Sequence, residues 1–441
     1  MSPTTQGAIV LVTTILVFMT GAPVAFGLGA IGVAFLVIFQ GVSSLGVAAE
    51  TLYSGLHDFT LVSIPMFVMM GAAIGSSPAG RDLYIALDRW LYRVPGGLVI
   101  SNLGACALFA ALTGSSPATC AAIGKMGIPE MRRRGYPDAI ATGSICAGGT
   151  LGILIPPSIT FILYGIATET SIGRLFLAGV MPGLMLTALF MLWTMFYIWR
   201  SGFRAYEADF RYTWKEKFQS IPKVAPFLLI IIGVMYVLYG GIATPSEAAG
   251  VGAALCVILA VLIYRMWSPK AWWEILRSTT RESVMILMII ATAVLFSYML
   301  TSLYITQTLA QAIADADLNR WVLMGIINLF LLVCGCFIPP AGIILMTAPI
   351  LLPIITNAGF DPVWFGVIVT INMEIGLITP PVGLNLFVVN AIAPDVPTKT
   401  VLWGSVPYVL CMVLAIIILC IFPGIATWLP DYLMGPTISG R

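Results

Sequence analysis

The chain has 441 residues, of which 59% are hydrophobic and only 9% charged, with a formal net charge of +2 at pH 7. A soluble domain carries about 25% charged residues, so this composition excludes a fold that covers itself with a water-facing surface. Apolar runs of roughly 20 residues recur from end to end and match a hydrocarbon layer about 30 Å thick. Alternating strand-like segments are absent, so the expected class is an all-α polytopic membrane protein rather than a barrel.

In chain order, spans are predicted at 6–21, 23–40 and 60–77, with a less apolar stretch at 41–58. The first run lacks a basic leader and a small-residue cleavage site, and reads as a retained span. A basic cluster, Arg81 to Arg93, precedes an apolar segment at 95–124, and a second, Lys125 to Arg134, follows it. Positive charge marks the cytoplasmic side, so this segment enters and leaves on one face. With Thr113-Gly114-Ser115-Ser116-Pro117 in its middle, it is a re-entrant hairpin (95–130), and its non-helical tip must be buried in protein or line a cavity. A broken span at 138–168 and a span at 175–199 complete a first half, 1–223.

The second half, 224–441, repeats the plan: spans at 224–242, 245–265 and 283–306, a hairpin at 321–356, a broken span at 361–391, and a span at 401–425. Clusters Arg200 to Lys223 and Arg265 to Arg281 are again cytoplasmic. The segment WSPKAWWEILRSTTRES at 266–282 reads as an interfacial amphipathic helix. The second hairpin is broken at Pro339-Pro340-Ala341-Gly342, and its flanks (Asp315, Asp317, Asn319, Arg320, Asn357 and Asp361) are poor in basic residues. It is expected to open to the outside, as are both termini. Residues 1–80 hold no Lys or Arg, and 282–441 hold only Arg320, Lys399 and Arg441.

Ser115-Ser116 and Pro339-Pro340 are 224 positions apart, and so are GILIPPS at 152–158 and GLITPPV at 376–382. Gly21-Ala22-Pro23 and Ala243-Thr244-Pro245 align at an offset of 222. Breaks in register across two halves with opposite basic flanking are the pattern of inverted-topology repeats, which place ligands near the midplane at interrupted helices.

These motifs resemble those of the large membrane (M) subunit of tripartite ATP-independent periplasmic (TRAP) transporters. The matching stretches are Ser63-Ile64-Pro65-Met66-Phe67, TGSSPATCAAIG at 113–124, GTLGILIPPS at 149–158, ATPSEAAG at 243–250, APILLPI at 348–354 and INMEIGLITPPVGLNLF at 371–387. The resemblance implies a sodium-driven, elevator-type symporter in the bacterial inner membrane, whose hairpins and broken helices form a transport domain against a scaffold. It implies a small four-helix membrane (Q) subunit, a periplasmic substrate-binding (P) protein, and an organic acid as solute. One departure stands out: after Gly335-Cys336-Phe337-Ile338, where many relatives carry an acidic residue, this chain has Pro339.

Sodium needs several hard oxygen ligands, which backbone carbonyls freed by helix breaks can supply. On this reading Na+ lies near Ser115, Ser116, Gly149 and Thr150, and near Gly376 and Thr379. Each site pairs a hairpin tip (Ser115, Ser116, Thr119; Cys336, Pro339, Pro340) with the neighbouring break (Gly152, Pro156, Pro157, Ser158; Pro380). The serines and Thr119 could instead bond back to a helical carbonyl. Glu374 and Asn385 flank the second break, beside Asn372; an ionisable group at membrane depth is a functional candidate, or Glu374 braces the broken helix. Glu247 reads as a helix-capping carboxylate, Arg132-Arg133-Arg134 as topology determinants, and Cys334 and Cys336 as small buried residues. No zinc or CxxC spacing, nucleotide-binding GxxxxGK[ST] loop or HExxH appears. His57, the one histidine, leaves no Ser-His couple to assemble. The chain is thus expected to be no enzyme and to bind no nucleic acid. The rival within its class is a stand-alone ion-coupled carboxylate or ion transporter of similar architecture.

Overall fold

A computed structural model describes residues 1–201, 212–315 and 318–435; residues 202–211 of the third basic cluster, Asp317 and Arg441 lie outside the described residues. The described residues form twenty α-helices and one 3-10 turn, with no strand. The first ten are α1 (Pro3–Met19), α2 (Val24–Gln40), α3 (Ser44–Ser54), α4 (Ser63–Gly75), α5 (Ala79–Leu91), α6 (Gly97–Thr113), α7 (Ser116–Arg133), α8 (Asp138–Leu154), α9 (Ile159–Thr168) and α10 (Ile172–Ser201), with the turn at Phe59–Val62. The rest are α11 (Trp214–Tyr239), α12 (Pro245–Leu262), α13 (Pro269–Ser302), α14 (Ile305–Asp315), α15 (Arg320–Gly335), α16 (Pro340–Asn357), α17 (Pro362–Leu377), α18 (Leu384–Ile392), α19 (Thr398–Ile421) and α20 (Gly424–Met434).

Local signals set many of these boundaries. At the head of α12 the Thr244 hydroxyl accepts from the Glu247 amide while the Glu247 carboxylate accepts from Thr244 N–H at 2.8 Å, a capping box, as the sequence predicts for Glu247. A second box, Thr213 with Glu216, starts α11 well before the expected span at 224. The stretch 269–282 is not a separate interfacial helix. It runs on into α13, because residues 270–302 contain no Gly or Pro to break the ladder. In the first half the chain instead bends by 54° between α3 and the turn leading into α4.

Among the described residues five helices (α10, α12, α13, α16 and α19) are long and apolar enough to cross a membrane, and up to eight spans result if each bent pair counts as one. Outward faces are apolar: Leu192, Phe196 and Trp199 on α10, and Leu410, Leu414, Ile417 and Ile421 on α19, are all exposed. The chain is a multi-pass membrane protein. Helix α2 packs on α13 and α4 on α12; α7 packs on α18 and α16 on α9; α8 packs on α19 and α17 on α10.

At the basic end the charges are tied together. Arg134 bonds to Asp88 of α5 at 3.1 Å and to Glu130 at 3.0 Å, and both Arg134 and Asp88 are buried. Arg132 bridges Asp138 at 2.9 Å and Asp395, and its hydrogen bond holds the Asp395 carboxyl below the usual carboxylate range. Lys217 lies over the rings of Trp90, Tyr92 and Trp214, 4.9 to 5.7 Å from their centroids, which fixes α11 to the end of α5. Arg134→Met removes the cation paired with the buried Asp88 carboxylate, which keeps the Tyr212 hydroxyl at 2.9 Å, so it should cost about 3–5 kcal/mol and lower the thermal midpoint in detergent. Asp88→Asn, which leaves Arg134 its Glu130 partner, should cost less. Equal midpoints for both variants and the parent chain contradict a structural role for this pair.

Candidate binding site at the helix breaks

Backbone groups freed at a helix end need partners, and here two pairs of helix ends meet. In the first, α6 ends at Thr113, Gly114 turns the chain at φ +58°, and α7 starts at Ser116. Beside it α8 ends at Leu154 and α9 starts at Ile159, across a break with a cis Pro156–Pro157 bond. The two breaks touch backbone to backbone: a Cβ on Gly152 would lie 2.5 Å from the Ser115 carbonyl oxygen, so no other residue fits. The N-termini of α7 and α9 begin here without side-chain caps from Ser115 or Ser158, which leaves positive dipole ends at the junction.

The hydroxyls divide by what they serve. Thr150 donates to Ala147 O at 2.6 Å and Ser158 to Ile153 O at 2.5 Å, so both bond back to helix carbonyls. Thr119 donates to Ser115 O at 2.9 Å, and its oxygen lies 2.8 Å from the Thr113 hydroxyl. Ser116 accepts from Asn385 Nδ2 at 2.8 Å, and the same amide nitrogen donates to Cys146 O at 3.1 Å. Gly149 lies beneath this amide. Asn385 is completely buried and its Oδ1 has no hydrogen-bond partner among the described residues. The sequence groups Asn385 with the second break, yet its side chain completes the first. Thr113, in the same TGSSP stretch, joins the cluster although the sequence reading did not select it.

The second pair is built alike and finished differently. A Cβ on Gly376 would lie 2.4 Å from Gly335 O, and Val382 N–H donates to Cys336 O at 3.1 Å, joining the α15–α16 tip to the break at cis Pro380–Pro381. The Thr379 hydroxyl donates to Ile375 O at 2.6 Å. Residues 336–339 link α15 to α16, whereas only residues 114–115 link α6 to α7. Phe337, Pro339, Pro380, Pro381 and Val382 are exposed, while Gly114, Ser116, Pro156 and Pro157 are buried. The first junction is closed and polar, the second open and apolar.

Glu374 is not brought to the second tip. It precedes Gly376 by two positions, roughly 200° around the helix, and so faces away from α15, on which Asn372 bonds to Asn328. Glu374 is fully buried, and neither carboxylate oxygen has a partner among the described residues. No three His, Cys, Asp or Glu side chains gather into a metal site among the described residues. The first junction does hold neutral oxygens, the orphaned Asn385 Oδ1, the Ser115 carbonyl and the Thr113 and Thr119 hydroxyls, which are donors of the type a hard monovalent cation takes. A cavity of about 460 Å³ between α4, α5, α7 and α13 reaches this junction at Thr113 and Ser115.

The family model of the tripartite ATP-independent periplasmic transporter DctM component matches residues 11–425. The chain is 38% identical over 406 residues to the C4-dicarboxylate TRAP transporter large permease protein DctM of Pseudomonas aeruginosa, covering 92% of this chain and 94% of that one. It is 36% identical over 458 residues to the protein of the same name from Vibrio cholerae, covering 98% and 99%. Its fold is similar to the crystal structure of the YdaH transporter of Alcanivorax borkumensis, with a TM-score of 0.66 at 15% identity over 98% of this chain and 100% of that one. From residue 11 to residue 425, then, the chain belongs to the DctM family, the large permease component of the tripartite ATP-independent periplasmic transporters.

Proposed function

We propose that this permease imports a carboxylate-bearing organic solute across the bacterial inner membrane, driven by sodium. The observation that carries the reading is the first junction. There two helix breaks, two uncapped helix N-termini and a cluster of neutral oxygens meet against a cavity, the arrangement by which interrupted helices hold cations and anionic groups without charged side chains. Sodium bound through Ser115 O, the Thr113 and Thr119 hydroxyls and Asn385 Oδ1 neutralises the solute's charge beside the tip. The second junction, lacking a tip hydroxyl, holds its cation through Thr379 and backbone carbonyls. A carboxylate solute is supported by the names of the two relatives, both C4-dicarboxylate permeases.

The proposed mechanism moves hairpins and broken helices as one body against the remaining helices, in elevator fashion. The crossed contacts of α7 with α18 and α16 with α9 support it, because they lock the hairpins and broken helices of both halves together. Those contacts, and the pairing of α2 with α13 and α4 with α12, correspond under the offset of about 224, which supports inverted repeats at 1–223 and 224–441. The partners are a small four-helix membrane subunit and a periplasmic binding protein, as the three-part family name implies.

Uptake into proteoliposomes should require an inward sodium gradient, the small subunit and the binding protein together. Uptake by this chain alone, or with protons in place of sodium, refutes the reading. Thr113→Val with Thr119→Val, which removes the two ligand hydroxyls at constant shape, should raise the half-saturating sodium concentration roughly tenfold, equivalent to about 1.4 kcal/mol of lost ligand contact; unchanged sodium dependence removes the first junction from the mechanism. Gly152→Val and Gly376→Val each force a tip off its break, so uptake should fall at least about tenfold, as small displacements of positioned groups do, while the protein still elutes as a single species. Full uptake by either variant excludes that junction.

A further inference from the structure

The cavity that reaches Ser115 also carries two basic side chains with no structural employment. From α5 through the first hairpin the cations are Arg81, Arg89, Arg93, Lys125, Arg132, Arg133 and Arg134. Five are held: Arg89 by Glu216 O, Arg93 by the Tyr92 hydroxyl, Arg132 by Asp138 and Asp395, Arg133 by Glu130, and Arg134 by Asp88 and Glu130. Arg81 and Lys125 make no hydrogen bond, ion pair or ring contact among the described residues, and both line the cavity. They stand at the same level. A Cβ placed on Gly80 would lie 3.5 Å from Ile123 and 3.6 Å from Ala122 of α7, which sets its neighbour Arg81 beside the turn of α7 that bears Lys125.

Lys125 lies nine residues past Ser116, roughly 13.5 Å along the helix axis. Its backbone therefore stands about two and a half helical turns from the tip. We propose that Arg81 and Lys125 form a second anion station, separate from the hairpin tip, which holds a small organic dianion in the cavity. Two exposed cations on neighbouring helices suit two carboxylates better than one. Glu282 on the α13 wall leaves the station one net positive charge, enough to attract the anion and weak enough to release it. The station rests on the reading of this chain as a carboxylate permease.

The test needs no transport. Ala121 lines the cavity one turn before Lys125, and Ala121→Cys in the full chain, held in lipid nanodiscs, offers a maleimide target; the unmodified chain sets the background from its own cysteines. Succinate should protect this cysteine, and butyrate and sulfate at equal concentration should not. Arg81→Gln or Lys125→Gln should raise the half-protecting succinate concentration about tenfold, Arg81→Lys should restore most of the protection, and Glu282→Gln should strengthen it. Should Ala121→Cys fail to fold, Ser278→Cys on the opposite wall serves the same readout. Equal protection by butyrate or sulfate, or protection unchanged in both Gln variants, overturns the station. Protection without sodium-driven uptake leaves the station standing and fails the permease reading instead.

Discussion

The constraint on which this structure turns is that a backbone polar group in hydrocarbon has no water to bond. Each break in a membrane helix frees several N–H and C=O groups, and an unmet group costs free energy comparable to a lost hydrogen bond. The chain meets the constraint by bringing breaks together. The Ser115 tip lies on the 155–158 break, and the Cys336 tip lies on the 378–383 break and bonds to it through Val382. That stacking in turn dictates Gly152 and Gly376, since any side chain at either position would occupy the opposing backbone. At the first junction the freed groups lie within protein, and the packing of tip on break concentrates dipole ends and carbonyls at two places.

Equivalent construction has not produced equivalent sites. At the first junction Thr113, Ser116, Thr119 and Asn385 surround the tip, and the break is buried. At the second, Pro339 and Pro340 stand where the first carries Ser115 and Ser116, the connection is longer, and Phe337 and Val382 are exposed. A proline brings no hydroxyl and no N–H, so the second tip offers no hydroxyl. Asn385 adds to the difference: it belongs to α18, after the second break, yet donates to Ser116 and Cys146 of the first half. The polar centre is therefore shared between halves but assembled on one side.

How far the fold could be read from sequence depended on the kind of signal. The four helix ends were legible because Thr113 to Pro117, Pro156-Pro157, Pro339-Pro340 and Pro380-Pro381 join a proline to a glycine, a hydroxyl residue or a second proline, whereas lone prolines such as Pro182 and Pro407 stay inside helices. The single helix α13 was not legible, since its charged, Trp-rich start and apolar remainder look like two elements; helix continuity there follows from the absence of a breaker, not from composition. Side-chain partners were the least accessible. Asn385 sits 269 positions from Ser116, and nothing periodic connects them. Thr150 and Ser158 carry the same hydroxyl chemistry as Thr119, but their backbone geometry turns them onto helix carbonyls.

Charge follows depth throughout. Arg81 and Lys125 are exposed at the rim of the cavity, while its buried end at Thr113 presents only neutral oxygens. Inside the protein, charged side chains occur where a partner compensates them: Asp88 with Arg134, and Lys217 within a cage of rings. Glu374 breaks this rule among the described residues, fully buried with both oxygens unbonded. Burying a carboxylate without a partner is costly, which makes Glu374 a candidate for function rather than for packing. Glu374 shares α17 with Gly376, where the α15–α16 tip meets the helix break, so the one buried carboxylate without a partner among the described residues lies on the helix that carries the second junction.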